Sequence, residues 1–351
     1  MMGREAGTLG SVKGTAYLAA EAARLGLEPA GDNGTYFQDI GATSARFAGS
    51  TVPGGARNVI AILRGSDPVL RDEYIAIGAH TDGYGILRAG SIDHDSLRAH
   101  NVELTRLGAP VWDSRTRARR DTLARTITLN LDSIRRVRPP RRDSIRNGAD
   151  DDGSGSVTLL EIAEALAASP VKPKRSILFV WHTAEEKGLL GSKWFSEHPT
   201  VPRAQIVTQL NIDMVGRGGV GDIAGGGPGY LQLVGSRRLS TELGNIVEQL
   251  NTQRPDPFRF DYAYDADGHP ERIYCRSDHY HYARFGIPVT FFTTGLHPDY
   301  HLITDEAQYV DYEKMSRVAD LIHDIAVHVA NLDHRVKVDK PVGDPAATCV
   351  Q

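Results

Sequence analysis

Five short stretches of this chain set histidines and carboxylates close together. The first is Ala79-His80-Thr81-Asp82-Gly83. A His two residues before an Asp suits a metal ligand whose second ring N–H is held by the carboxylate. The same pair also reads as an ordinary polar loop. The second is Asn147-Gly148-Ala149-Asp150-Asp151-Asp152-Gly153-Ser154-Gly155. Three successive carboxylates repel one another unless a cation neutralises them, and the glycines permit a tight backbone. The alternative is an acidic helix cap, with Asp152 or Ser154 bonding backbone N–H groups. The third is Trp181-His182-Thr183-Ala184-Glu185-Glu186-Lys187-Gly188. Adjacent carboxylates can point apart, so one can bind metal while the other moves protons. They would also suit the positive end of a helix. The fourth, Asn211-Ile212-Asp213-Met214-Val215-Gly216, ends an apolar run on an Asp that needs a cation, an Arg partner or a capping role. The fifth, Leu296-His297-Pro298-Asp299-Tyr300-His301, adds distant histidines or is a polar loop.

Together these stretches offer at least two His and four carboxylates, with no thiolate. Nitrogen and oxygen donors of this kind suit Zn²⁺, with Mn²⁺ or Co²⁺ as substitutes. The set is too large for one tetrahedral ion and fits two ions bridged by one carboxylate.

The surrounding pattern must hold these residues. Val12–Leu27, Val157–Ala168, Lys187–Glu197, Thr241–Leu250 and Asp311–Asn331 read as helices. Asn58–Leu63, Tyr74–Gly78, Ser176–Trp181, Ile206–Asp213 and Pro288–Thr293 read as buried strands. Strands separated by helices predict an α/β fold, a central sheet with helices on both faces. Most of the acidic stretches follow a strand, and ligand sites in such sheets form at the strands' carboxyl ends.

Composition narrows the classes. The chain has 351 residues, 40% hydrophobic and 24% charged, which excludes wholesale disorder. No stretch of about 18 apolar residues predicts a membrane span. The net charge of −4 gives no general reason to expect a nucleic-acid partner. Two cysteines, Cys275 and Cys349, cannot build a disulfide scaffold or a four-cysteine zinc site. Charge is uneven: residues 86–146 hold 14 Arg against 7 Asp and Glu, so the rest of the chain carries −11. Only Trp112 interleaves these arginines, so an insertion whose arginines pair with an acidic body is preferred to a nucleic-acid surface. The N-terminus shows no basic start followed by an apolar core, which fits a cytoplasmic protein or one whose leader has been removed.

These residues resemble the M28 zinc metallopeptidases of the bacterial leucyl aminopeptidase type. The likeness covers nearly the whole chain outside the Arg-rich segment. It is most specific at Ala184-Glu185-Glu186-Lys187-Gly188-Leu189-Leu190-Gly191-Ser192 and at Gly148–Gly155. The resemblance implies one peptidase domain over 1–351, with an Arg-rich insertion at about 86–146. It implies a mixed, mostly parallel sheet and two zinc ions. His80 and Asp213 would hold one ion, Glu186 and His301 the other, and Asp151 would bridge them. Asp82 would orient His80, and Glu185 would be the general base. Ser277-Asp278-His279 looks like a family stretch, and Tyr274 stands where some members place a tyrosine that polarises the scissile carbonyl.

The implied activity is release of N-terminal residues from peptides with a free N-terminus. A carboxypeptidase or dipeptidase of the same fold is the nearest alternative. A glutaminyl cyclase or a non-catalytic binding ectodomain follows, and the complete ligand set argues against both. No Gly-x-Ser-x-Gly elbow supports a serine hydrolase. Gly225–Gly229 lacks the Lys-Ser/Thr of a phosphate loop. Two departures stand out. His80 and Asp151 are 71 positions apart, far more than in the family, with the Arg-rich segment between them near the site's mouth. Some members carry a disulfide beside the site; Cys275 has only Cys349 as a partner, so no local bond is expected. Gly3–Thr8 resembles a motif of exported members, so the expectation is a periplasmic or secreted protein, with the cytoplasm as the alternative.

Overall fold

The computed structural model describes residues 3–40, 52–53, 55–88, 90–108 and 117–351. Trp112 and Arg115 fall outside them. Helix α1 (Leu9–Arg24) opens the fold, followed by β1 (Glu28–Pro29), β2 (Phe37–Asp39), β3 (Arg57–Leu63) and β4 (Tyr74–His80). The Arg-rich segment then runs through β5 (Gly85–Ile86), β6 (Ile92–Asp93), α2 (His94–Arg106), α3 (Arg117–Ala124), α4 (Asp132–Val137), β7 (Arg142–Asp143) and β8 (Ile145–Arg146). Next come α5 (Gly155–Ala168), β9 (Ser176–His182), α6 (Leu190–Glu197), β10 (Ile206–Ile212), β11 (Tyr230–Val234) and α7 (Thr241–Thr252). The chain closes with β12 (Arg259–Asp261), α8 (His279–Ala283), β13 (Val289–Thr293) and α9 (Tyr312–Asn331).

The nine-stranded sheet has the order β1-β3-β9-β4-β10-β13-β11-β12, with β2 also pairing β3. Its centre, β9-β4-β10-β13, is parallel. Strand β3 joins β9 antiparallel, and β11 joins β13 antiparallel. Every residue of β4, β9, β10 and β13 is buried, as parallel strands covered on both faces require. Alternation along β4 sends Ile75, Ile77 and Ala79 into a core shared with α1, α5, α7 and α9. It sends Tyr74 and Ala76 into a second core with Phe195 of α6 and Tyr282 of α8. The expected mixed sheet with helices on both faces is what the chain forms. Among the described residues no helix is long and apolar enough to cross a membrane.

One helix starts later than expected. The pattern predicts a helix from Lys187, yet α6 begins at Leu190. Ala184 and Leu189 adopt left-handed conformations, φ 56° and 58°, so the Glu185–Glu186 segment is a tight turn. The Arg-rich segment leaves and rejoins the body through two short antiparallel ladders, β5 with β8 and β6 with β7. Its arginines divide their partners. Arg135 and Arg138 pair with Asp93 and Asp95 inside the segment. Arg98 and Arg141 reach the body at Asp299 and Glu306.

Candidate metal centre

Parallel neighbours end on the same edge of a sheet, and that edge collects the acidic stretches. Strand β4 ends on His80, which lies opposite His182 at the end of β9. Glu185 and Glu186 follow β9, Asp213 follows β10, and the stretch 297–301 follows β13. Asp150, Asp151 and Asp152 lie in the turn before α5, and the Asp151–Asp152 peptide bond is cis. A side chain at Gly155 would put a Cβ 2.3 Å from Asp152 Oδ1 and 2.4 Å from Ile212 O, so only glycine lets this turn close onto the strand end. Ala184, Met214 and His301 all have positive φ, 56°, 63° and 62°. Each such residue costs about 1–3 kcal/mol and persists only where its surroundings fix it. All three adjoin or belong to the acidic stretches.

Asp151 lies between two histidines. Its Oδ1 is 3.1 Å from His80 Nε2 and its Oδ2 is 3.0 Å from His301 Nε2. Each histidine has a second carboxylate: Asp213 Oδ1 is 3.6 Å from His80 Nε2, and Glu186 Oε2 is 3.2 Å from His301 Nε2. Donor atoms each about 2 Å from one tetrahedral ion lie roughly 3.3 Å apart. Asp151, Glu186 and His301 therefore have the spacing and the nitrogen–oxygen chemistry of one ion site, His80, Asp152 and Asp213 form a second such group, and Asp151 Oδ1 reaches from the first group to His80 of the second. Glu185 stands beside them, its Oε2 3.9 Å from His80 Nε2.

Other residues hold these groups in place. Buried Asp82 faces His80 Nδ1 at 3.6 Å and accepts the Glu185 N–H at 3.0 Å. Ser277 donates to Asp213 Oδ2 at 2.7 Å and accepts from Asn211 Nδ2 at 2.9 Å. Asp152 is close enough to His80 and Asp213 to serve as a donor. Its oxygens, however, already accept backbone N–H groups of His80, Gly155 and Met214, so it acts as a brace. Asp305 accepts the N–H groups of Asp150 and Asp151. His297 Nε2 lies 3.3 Å from Asp150 Oδ2. The bond from Gly155 N–H to Asp152 is the capping role that the acidic stretch offered, whereas the part played by Asp305 is tertiary and no spacing in the sequence marks it.

Burial and mutual repulsion govern the charges. Burial, with Glu186, Asp213 and Asp278 beside it, pushes the Glu185 carboxyl up. Burial and Asp151 push Glu186 up to about 7. Burial lowers the His301 imidazole, but hydrogen bonds to Asp151 and Glu186 outweigh it and hold it at about 9. Four carboxylates facing two histidines in a buried space call for cations.

Aromatic rings wall the His301 side. Tyr300 stacks on the His301 ring at 3.5 Å between centroids, and the Tyr84 ring lies tilted against it at 4.3 Å. Tyr84, Arg146, Asp151, Glu186 and His301 line a cavity of only about 10 Å³. Tyr274 has other neighbours: its ring meets His279 and Tyr280 edge-on, and Arg238 lies over it at 4.1 Å. Beside it, Cys275 is bonded to Cys349 with S–S 2.04 Å. A disulfide was not expected to form locally at this position. The bond is long-range, because the C-terminal stretch folds back and Gln351 Oε1 accepts the Tyr274 N–H at 3.0 Å.

A streptomycete protein, leupeptin-inactivating enzyme 1 of Streptomyces exfoliatus, is 31% identical over 169 residues, 47% of this chain and 33% of that protein. Leucine aminopeptidase 1 of Aspergillus fumigatus is 29% identical over 195 residues, 52% of this chain and 47% of that protein. The chain thus matches between a third and a half of the length of these curated relatives. Among solved structures, the LapA aminopeptidase of Legionella pneumophila superposes with a TM-score of 0.59 at 19% identity, over 94% of this chain and 68% of that one, which shows a shared fold. The model of peptidase family M28 matches residues 58–326, a span that holds every acidic stretch described above. This chain belongs to peptidase family M28.

Proposed function

We propose that the protein is a two-zinc aminopeptidase. His80 and Asp213 would hold one ion, Glu186 and His301 the other, and Asp151 would serve both. Asp82 fixes the tautomer of His80 through Nδ1. The observation that carries this reading is the position of Asp151, with one oxygen 3.1 Å from His80 Nε2 and the other 3.0 Å from His301 Nε2. The relatives named leucine aminopeptidase and leupeptin-inactivating enzyme support the same reading.

Zinc, when bound, supplies an acidified water, its pKa brought toward about 7, and a polarised carbonyl. The residues of this chain do the rest. Glu185 takes a proton from the attacking water and returns it to the leaving amine. Tyr84 and Tyr300 pack against the imidazole of His301 and restrict water on that side. The resemblance points to Tyr274 as the hydroxyl that polarises the carbonyl. Its ring packs against Arg238, His279 and Tyr280.

The substrates are peptides with a free N-terminus. The disulfide between Cys275 and Cys349 is compatible with an oxidising compartment, and we infer a periplasmic or secreted protein. Zinc-loaded protein incubated with an unblocked peptide, and with its N-acetylated twin, tests the activity. Mass spectrometry should show stepwise N-terminal loss from the first and none from the second. Loss from the C-terminus, or cleavage of dipeptides alone, would move the protein to the carboxypeptidase or dipeptidase branch.

A further inference from the structure

The Arg-rich segment touches the body next to the candidate metal centre. The first turns of α2 dock on the loop that carries His301. Arg98 pairs with Asp299, two residues before His301. The Arg98 guanidinium also lies 3.6 Å from the centroid of the Tyr309 ring. His94 Nε2 is 3.0 Å from Glu306 Oε2, and its ring stacks on Tyr309. Arg141, at the far end of the segment, donates to Glu306 at 2.7 Å. Three points of the loop, Asp299, Glu306 and Tyr309, are thus held from the segment.

The charge balance at Asp299 gives this contact its force. Asp299 and Arg217 are 0% and 2% exposed. Arg217 pairs with both Asp299 and Asp222, so two guanidiniums, Arg98 and Arg217, answer two carboxylates. Removing Arg98 would leave Arg217 alone to answer two carboxylates, Asp299 and Asp222, an unfavourable change. The loop has reason to respond, because His301 sits at φ 62°, a conformation it keeps only while its surroundings hold it. The same cluster extends inward. The Asp299 N–H donates to His297 Nδ1 at 3.2 Å, and His297 Nε2 lies 3.3 Å from Asp150, the neighbour of Asp151.

We propose that Arg98 is a positioning residue for the metal centre: through Asp299 it fixes the His301 loop, and so sets the affinity for the ion held by Asp151, Glu186 and His301. The Arg-rich segment thereby supports one of the two ion sites. This inference rests on the two-metal reading above.

The test is a zinc titration of the metal-free protein against a competing chelator. Wild type should bind two ions. In Arg98→Met one ion should bind about 10–100-fold more weakly while the other binds as before. Arg98→Lys, which keeps a charge beside Asp299, should recover most of the loss. In a His301→Ala background, adding Arg98→Met should not change the affinity of the remaining ion. Equal affinities in wild type and Arg98→Met would overturn the proposal. So would parallel weakening of both ions, which would signal general loosening of the fold. A wild-type protein that binds fewer than two ions would overturn the two-metal reading itself, and this inference with it.

Discussion

Ser277 donates a 2.7 Å hydrogen bond to one carboxylate oxygen of Asp213, which leaves the other facing His80 Nε2 at 3.6 Å. A hydroxyl from the stretch before α8 thus aims an acid that follows β10. Polar partners of this kind orient ligands as much as the ligands' own backbone does.

Ser277→Ala should fold normally and lose about 10–100-fold in affinity for the ion at His80 and Asp213. Chelator competition measures it directly. An unchanged affinity would mean that Asp213 is aimed by its backbone alone.

Glu185 is expected to move protons without holding metal. Glu185→Gln should keep both zinc ions, counted by elemental analysis, and lose about 10²–10⁴ in kcat. Near-full activity would remove Glu185 from the role of base; loss of zinc would make it a ligand.

The metal-free protein should lose stability as pH rises above about 6.5, and zinc should reverse the trend. Burial and Asp151 raise Glu186 from 4.5 to about 7. In His301, burial is outweighed by bonds to Asp151 and Glu186, so its value rises from 6.5 to about 9. Both raised values mean that the folded state binds more protons than the unfolded one. The stabilisation is complete below the unfolded value and is lost as pH climbs through the folded one. The windows are 4.5 to about 7 for Glu186 and 6.5 to about 9 for His301. Zinc must displace these protons, so its affinity should climb over the same range. Between about pH 6.5 and 9, above the range in which buried His182, His279 and His281 act in the opposite sense, melting curves of metal-free protein should shift down with rising pH, and the zinc-induced upward shift should grow. A metal-free melting temperature that rises toward pH 9 would contradict the assignment.

The disulfide should matter for stability and not for metal. Cys275 and Cys349 are 74 positions apart, and a cross-link of that span removes much freedom from the unfolded chain. Cys349→Ser should lower unfolding free energy by about 2–4 kcal/mol. Calorimetry reads the loss, and the zinc count should stay the same. An unaltered melting temperature would show that contacts such as Gln351 with Tyr274 hold the C-terminal stretch unaided.

The parts of this site that were legible in sequence share one property: each follows, or immediately precedes, a strongly periodic element. His80 ends the apolar run of β4, Glu185 and Glu186 follow β9, and Asp213 follows β10, so strand patterning alone brings them to one edge. The illegible parts depend on which distant segment packs beside them. Arg98 and Asp299 are 201 positions apart, and nothing near either residue announces the other. The Cys275–Cys349 bond needed the path of the C-terminal stretch. The late start of α6 needed left-handed Ala184 and Leu189, which neither residue type advertises. Strand β11 follows a glycine-rich turn and pairs antiparallel with β13, outside the alternation of strands and helices that marked the rest.

The central claim is that Asp151 joins two ion sites. Crystals soaked in zinc, with anomalous diffraction recorded across the zinc edge, test it most directly. The account predicts two peaks about 3.5–4 Å apart, one beside His80 and Asp213, the other beside Glu186 and His301, with one oxygen of Asp151 on each. A single peak, or two peaks with Asp151 touching only one, would contradict it.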